Sequence, residues 1–254
     1  MKKKTVIIII IVCILTALNI YNALAVNPKQ LKIDTITLKD DKITDELNGK
    51  TILYFSDLCY DGKLVGTEKV EQLITTINSV AADVIIFGGD LGKADDYLLE
   101  ALKRIENRNG LFFVAGKEDQ EAEIAALSAA GFIRLDENIR RLYFGKNDYL
   151  LLSGGATVNT DNTHLYIQIA HEPDDFALGG NSDYVLAGHS LGGQVYLPLI
   201  NLFYRPQGAK KYYHGRYEND GRVLYISNGV GVKEKTIRFW ADGEIKLFRL
   251  AASH

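Results

Sequence analysis

Several short apolar runs in this chain end in residues that could bind a cation or move a proton. Thr51 to Phe55 leads into Ser56-Asp57-Leu58-Cys59, Val84 to Phe87 into Gly88-Gly89-Asp90, and Leu111 to Ala115 into Gly116-Lys117-Glu118-Asp119. Leu165 to Ala170 leads into His171-Glu172-Pro173, and Tyr184 to Ala187 into Gly188-His189-Ser190. Carboxylates and imidazoles on rigid strand ends are candidate ligands for a cation. One Asp after a strand is more often a helix N-cap than a ligand, and one His is more often surface or core. The repetition at strand end after strand end argues against caps, because ligands of open α/β sheets collect beyond the carboxyl ends of the strands. A competing pattern is Gly188-His189-Ser190-Leu191-Gly192, which fits the G-x-S-x-G nucleophile elbow of serine lipases and esterases. That elbow needs a helix after the serine, whereas Gln194 to Leu197 looks extended and Pro198 follows; its triad would have to end on His254.

The elements that would position these residues read as repeated strand-helix units. The strand at 51–55 is followed by a helix capped by Thr67, with Val70, Leu73, Ile74 and Ile77 at helical spacing. The next two strands precede helices around Tyr97 to Ile105 and Glu121 to Ala130. Leu31 to Leu38 reads as an edge strand. Beyond Gly131 strands dominate: Arg141 to Phe144, Tyr149 to Ser153, Leu165 to Ala170, Tyr184 to Ala187, Val223 to Ser227, Ile237 to Phe239 and Ile245 to Leu250. This order predicts one α/β domain in which two sheets pack between helices.

The first residues differ in kind. Lys2, Lys3 and Lys4 precede an apolar run from Val6 to Leu18, and continuation through Val26 gives roughly twenty residues, enough to span a bilayer. Ala23-Leu24-Ala25 has the small-x-small form of a signal-peptidase site, so residues 1–26 are an anchor or a signal peptide and 27–254 the domain. Basic residues stay cytoplasmic, which places the domain on the extracytoplasmic side of the cell membrane as a single-pass protein anchored in membrane lipid. Of the 2 cysteines Cys13 lies in the apolar run, which leaves Cys59 as a free thiol. A net charge of -3 supplies no basic excess for a polyphosphate backbone, so nucleic acid is not an expected partner.

Across roughly residues 30 to 250, the order Asp57-x-Cys59, Gly89-Asp90, Gly116-Lys117-Glu118, His171 and Gly188-His189-x-Leu191 resembles the calcineurin-like metallophosphoesterases, in which the motifs are Asp-x-His, Gly-Asp, Gly-Asn-His, His and Gly-His-x-His. Gly192-Gly193-Gln194-Val195, Gly215-Arg216-Tyr217, Leu224 to Gly231 and Ile237-Arg238-Phe239 are similar to the membrane-anchored bacterial branch of that superfamily. The resemblance implies a four-layer αββα sandwich and a two-metal phosphoester hydrolase. It assigns the first metal to Asp57, position 59, Asp90 and position 191, and the second to Asp90, position 117, His171 and His189. Leu191 has no lone pair, and Lys117 has donors only and repels a dication. Glu118 stands where the family has its catalytic histidine, and an ionised carboxylate there repels a phosphate. Cys59 is either a thiolate ligand favouring soft metals or a small buried residue after a strand. Lys117 is expected either to swing out to solvent or to replace the missing cation by pairing with Asp90 and Glu118. The expectation is a phosphoesterase-like protein, its hydrolysis of phosphate esters or phosphodiesters reduced or lost, holding at most one zinc, manganese or iron ion, or none. The alternative is a non-catalytic binding or scaffold module at the membrane, with the apolar Tyr196 to Tyr204 segment packed on its core or turned to lipid.

Overall fold

The structure, a computed structural model, describes residues 3–135, 139–155, 160, 162–197 and 205–253. Lys2, His254 and most of the 196–204 segment lie outside the described residues. Helix α1 (Lys3–Tyr21) has no buried side chain. Its helical path continues with altered pitch through Asn22–Val26 and Asn27–Lys29. The path covers 27 residues and contains an 18-residue window of mean hydropathy 2.5, long and apolar enough to cross a bilayer. Its far end is seated on the domain: Ala23 and Pro28 are buried, Arg238 donates its backbone N–H to the Ala23 carbonyl, and Lys69 Nζ donates to the Gln30 carbonyl at 2.7 Å.

Strand β1 (Lys32–Asp40) is an outermost strand, followed by β2 (Thr51–Phe55), α2 (Thr67–Val80), β3 (Val84–Phe87), α3 (Asp96–Leu102), β4 (Leu111–Phe113), α4 (Glu121–Ala129) and β5 (Ile133–Arg134). Then come β6 (Arg140–Tyr143), β7 (Tyr149–Gly154), β8 (Tyr166–Ile169), β9 (Tyr184–Ala187), β10 (Gly215–Asn219), β11 (Arg222–Ile226) and β12 (Glu244–Ala252). They form two six-stranded sheets, ordered β1-β12-β2-β3-β4-β5 and β10-β11-β9-β8-β7-β6. Strands β2 to β5 are mutually parallel, as are β7, β8, β9 and β11, so the carboxyl ends of each set share one sheet edge.

Alternation along the strands divides the apolar residues between layers. Leu53, Phe55, Ile85, Phe87 and Phe113 pack against Val70, Leu73, Ile74 and Ile77 of α2, Leu98 of α3 and Leu127 of α4. Ile52, Tyr54, Val84 and Ile86 face Leu150, Leu152, Ile167, Ile169 and Leu186 between the sheets. The outer face of the second sheet is covered, among the described residues, by the 3₁₀ turn Pro173–Leu178 through Phe176 and by Tyr212, so that layer is thinner than the helical one.

Three local expectations need correction. Gly66, extended at φ −91°, caps α2, and Thr67 is its first helical residue. Ile237 to Phe239 is no strand but a loop touching Val195 by a single bridge at Phe239, because Arg238 turns its side chain into the protein. Strand β10 was not anticipated, although Asp220 and Gly221, with φ of 51° and 75°, form the two-residue hairpin turn that such a pair favours.

Candidate metal centre

Asp57 and Asp90 stand on the loops leaving β2 and β3, and those loops keep pairing past the strands: Asp57 N–H donates to the Gly89 carbonyl at 2.8 Å and Cys59 N–H to the Asp90 carbonyl at 3.0 Å. Asp119 brackets the same turn, its carboxylate accepting from the N–H groups of Asp90, Leu91 and Gly116 at 2.7–2.9 Å. Glycine is required at Gly116, because a Cβ would land on the Asp90 backbone and carboxylate. Asp57, Cys59, Asp90, His189 and Leu191 all have φ between 51° and 65°, and left-handed non-glycine residues concentrated in this way mark backbone held in unfavourable conformations by its surroundings.

Asp90, His171 and His189 are buried, and their donor atoms lie within 4.8 Å of one another. His171 Nε2 is 3.4 Å from Asp90 Oδ1 and 3.1 Å from His189 Nδ1, while its Nδ1 sits 2.8 Å from the Gly88 carbonyl. His189 Nε2 is 2.9 Å from the Gln207 carbonyl. Burial opposes a charge on His171, but its hydrogen bond to Asp90 and the charges of Asp57 and Asp90 raise its pKa to about 9. Burial also opposes ionisation of Asp90, yet His171, His189 and Lys233 hold its carboxyl far below the usual range. Asp57 is fully buried. Its Oδ2 accepts the His189 N–H at 2.9 Å, its Oδ1 has no hydrogen-bond partner, and burial pushes its pKa up.

The remaining family positions stand apart from this cluster. Burial holds the Cys59 thiol well above its ordinary pKa, with Asp57 adding to the effect, so the thiol is neutral. Leu191 is fully buried and supplies no donor. Lys117 does not pair with Asp90 or Glu118: its ammonium is turned away, 2.9 Å from Glu172 and 3.3 Å from the Gln207 carbonyl. The ammonium that does meet Asp90 belongs to Lys233, a residue that sequence reasoning gave no role. Its Nζ is 2.6 Å from Asp90 Oδ2 and 3.0 Å from Glu118 Oε1. Burial opposes its charge, but the Asp90 and Glu118 carboxylates keep its pKa well above the ordinary lysine value. Glu118 is largely exposed, and its N–H donates to Asp90 Oδ1 at 3.1 Å. Its carboxylate is engaged by Lys233. Ser190 is fully buried, its Oγ accepts the Gly192 N–H, and one 3₁₀ turn follows it rather than an elbow helix.

The donor set fits one divalent ion, at Asp90, His171 and His189, and Asp57 is not among these converging donors. It does not fit two. At the first-metal positions Cys59 is not among the converging donors, Leu191 has no donor atom, and an ammonium already occupies Asp90 Oδ2.

No protein-family model matches the chain. It is 26% identical over 254 residues to YkuE, an uncharacterized metallophosphoesterase of Bacillus subtilis, with 89% of this chain and 88% of that protein covered. It is also 26% identical over 246 residues to an uncharacterized metallophosphoesterase of Helicobacter pylori, covering 86% of this chain and 64% of the relative. A transmembrane protein with metallophosphoesterase domain from Danio rerio is 24% identical over 279 residues, covering 96% of this chain and 62% of that protein. The chain therefore spans under two thirds of the length of the latter two.

Proposed function

The chain belongs to the calcineurin-like metallophosphoesterase superfamily, and from that premise we propose that it is a membrane-anchored, single-metal phosphoesterase-like protein whose hydrolysis of phosphate esters or phosphodiesters is reduced or lost. Residues 1–26 form its anchor and 27–254 its phosphoesterase domain, carried on the extracytoplasmic face of the cell membrane. The observation that carries this reading is the contrast within one site: Asp90, His171 and His189 converge, while the other cation's positions offer Leu191 and a Cys59 outside the converging donors, and the Lys233 ammonium holds the shared Asp90.

A divalent ion held by Asp90, His171 and His189 would supply Lewis-acid polarisation of a phosphoryl oxygen. His171 and His189 would be held in orientation by the carbonyls of Gly88 and Gln207. Lys233, paired with two carboxylates, supplies little net positive charge to a phosphate, and Glu118 beside it repels one. With the pair of cations unavailable, the clamp on attacking and leaving oxygens is incomplete.

Elemental analysis of the full chain purified in detergent, with a chromogenic phosphodiester assay, tests the reading. The expected outcome is no more than one equivalent of zinc, manganese or iron and little turnover. Two equivalents with turnover of roughly 1–1000 per second would overturn it, and no metal under any loading condition would favour a binding or scaffold module. Protease added to intact cells should digest the domain, and protection with working controls would refute the orientation.

A further inference from the structure

We infer that Lys233 is a built-in cation standing in for one of the two metals, so that this side of the site is charge-neutralised by the chain itself and a second divalent ion is shut out. The inference rests on the single-metal reading above and assigns the ammonium its role there. Four observations converge on it.

The contacts are those a cation would make: Nζ lies 2.6 Å from Asp90 Oδ2 and 3.0 Å from Glu118 Oε1, in a cleft of about 400 Å³ that Cys59 also lines. The lysine side chain is only 14% exposed, unlike the Lys117 ammonium nearby at 44%. A surface lysine would lose its favourable solvation and rotamer freedom by adopting this position, so the carboxylates must hold it.

The backbone is also fixed to deliver it. Lys233 N–H donates to Gln194 Oε1 at 2.9 Å, and Gln194 Nε2 donates back to the Lys233 carbonyl at 3.0 Å. Gln194 is buried and follows the 3₁₀ turn that starts at Leu191. The segment that lacks a metal donor is thus clamped to the segment that brings the ammonium.

Arg238 secures the rest of that loop. Its guanidinium is fully buried and donates to the carbonyls of Leu191, Asn228, Gly229, Gly231 and Ala241. Carbonyl acceptors from both segments converge on one cation, so the loop 228–241 and the turn at 191 move as a unit.

Finally, groups able to meet a cation line the same cleft as the ammonium. Asp90 Oδ2, Glu118 Oε1 and the Cys59 thiol share the cleft with Lys233. Without the lysine, buried Asp90 would lose the cation on its Oδ2, a place that a divalent ion could take.

The test uses the full chain in detergent, with Cd²⁺ and Zn²⁺ as probes. The wild type should take up no more than one equivalent and show no cadmium–thiolate absorption, and its melting temperature in chelator, with that one ion removed, is the reference for the variants. Lys233→Met should melt about 5 °C lower in chelator, recover on addition of Cd²⁺ or Zn²⁺, and bind the ion at least about tenfold more tightly than the wild type. A cadmium–thiolate band should appear with it and vanish in Lys233→Met/Cys59→Ser. Lys233→Arg, which keeps the charge, should behave as the wild type. Should Lys233→Met fail to fold, Glu118→Gln, at an exposed side chain, should respond to chelator and ions as the wild type does and show no band. The inference is overturned if the wild type shows a thiolate band, if Lys233→Met in chelator melts no lower than the wild type or gains no more from the ions than the wild type does, or if Glu118→Gln shows the band while Lys233 is intact. Uptake of two equivalents by the wild type would sink the single-metal reading as well. Uptake of at most one with an unresponsive Lys233→Met would sink only the role of the ammonium.

Discussion

Asp90 separates two neighbourhoods that are held in place by different means. His171 and His189 follow β8 and β9, adjacent parallel strands of the second sheet, and inherit their positions from a hydrogen-bonded ladder and an apolar interlayer. Lys233 rides on irregular chain, and its placement depends on Gln194 and on Arg238, a buried cation among carbonyls. The comparison teaches that a regular sheet and a loop can be equally fixed when the loop's polar groups are satisfied from within. It also teaches that they should fail differently.

Arg238→Met gives the largest expected effect. Removing the guanidinium strands buried carbonyls on two segments, and unfolding in urea should show a loss of about 3 kcal/mol or more. Amide exchange should accelerate over 228–241 while 166–169 and 184–187 stay protected. Equal acceleration on both sides would break the comparison.

pH addresses the imidazole side next. The folded-state pKa of His171, about 9, exceeds the ordinary 6.5. Its contribution in metal-free protein is therefore complete below pH 6.5 and is lost as pH rises to about 9. It amounts to an order of 3 kcal/mol. Melting in chelator should fall across that window, and His171→Asn should flatten the dependence. Because a metal must displace the same proton, apparent affinity for the ion should climb across the window. An unchanged affinity would mean that His171 is not a ligand.

The smallest effect is expected at Lys117. Its pair with Glu172 is largely exposed, so Lys117→Ala should change stability by less than about 1 kcal/mol and leave metal content as it is. A large gain in metal would place Lys117 back among the residues that exclude a second ion, and would weaken the role given to Lys233.

Much of the fold was legible because its elements are local. The apolar runs of β2, β3 and β9 and the helical spacing of Val70, Leu73, Ile74 and Ile77 can be read without knowing what they touch. Asp90, His171 and His189 could be proposed as ligands because each lies within three residues of the end of an apolar run. The hairpin turn at Asp220-Gly221 was legible too, and simply went unused. What only the tertiary structure decided is which charge meets which. Lys117 is close to Asp90 in sequence yet faces Glu172, whereas Lys233 lies 143 residues from Asp90 and makes the ion pair. In sequence Lys233 sits among Glu234 and Lys235 and reads as part of a solvated turn. Its partner is set by the packing of the Arg238 loop over the sheet edge. Strand and helix formation follow from periodicity within a few residues. Pairing of charges depends on distances between segments, and those exist only once the two sheets have packed.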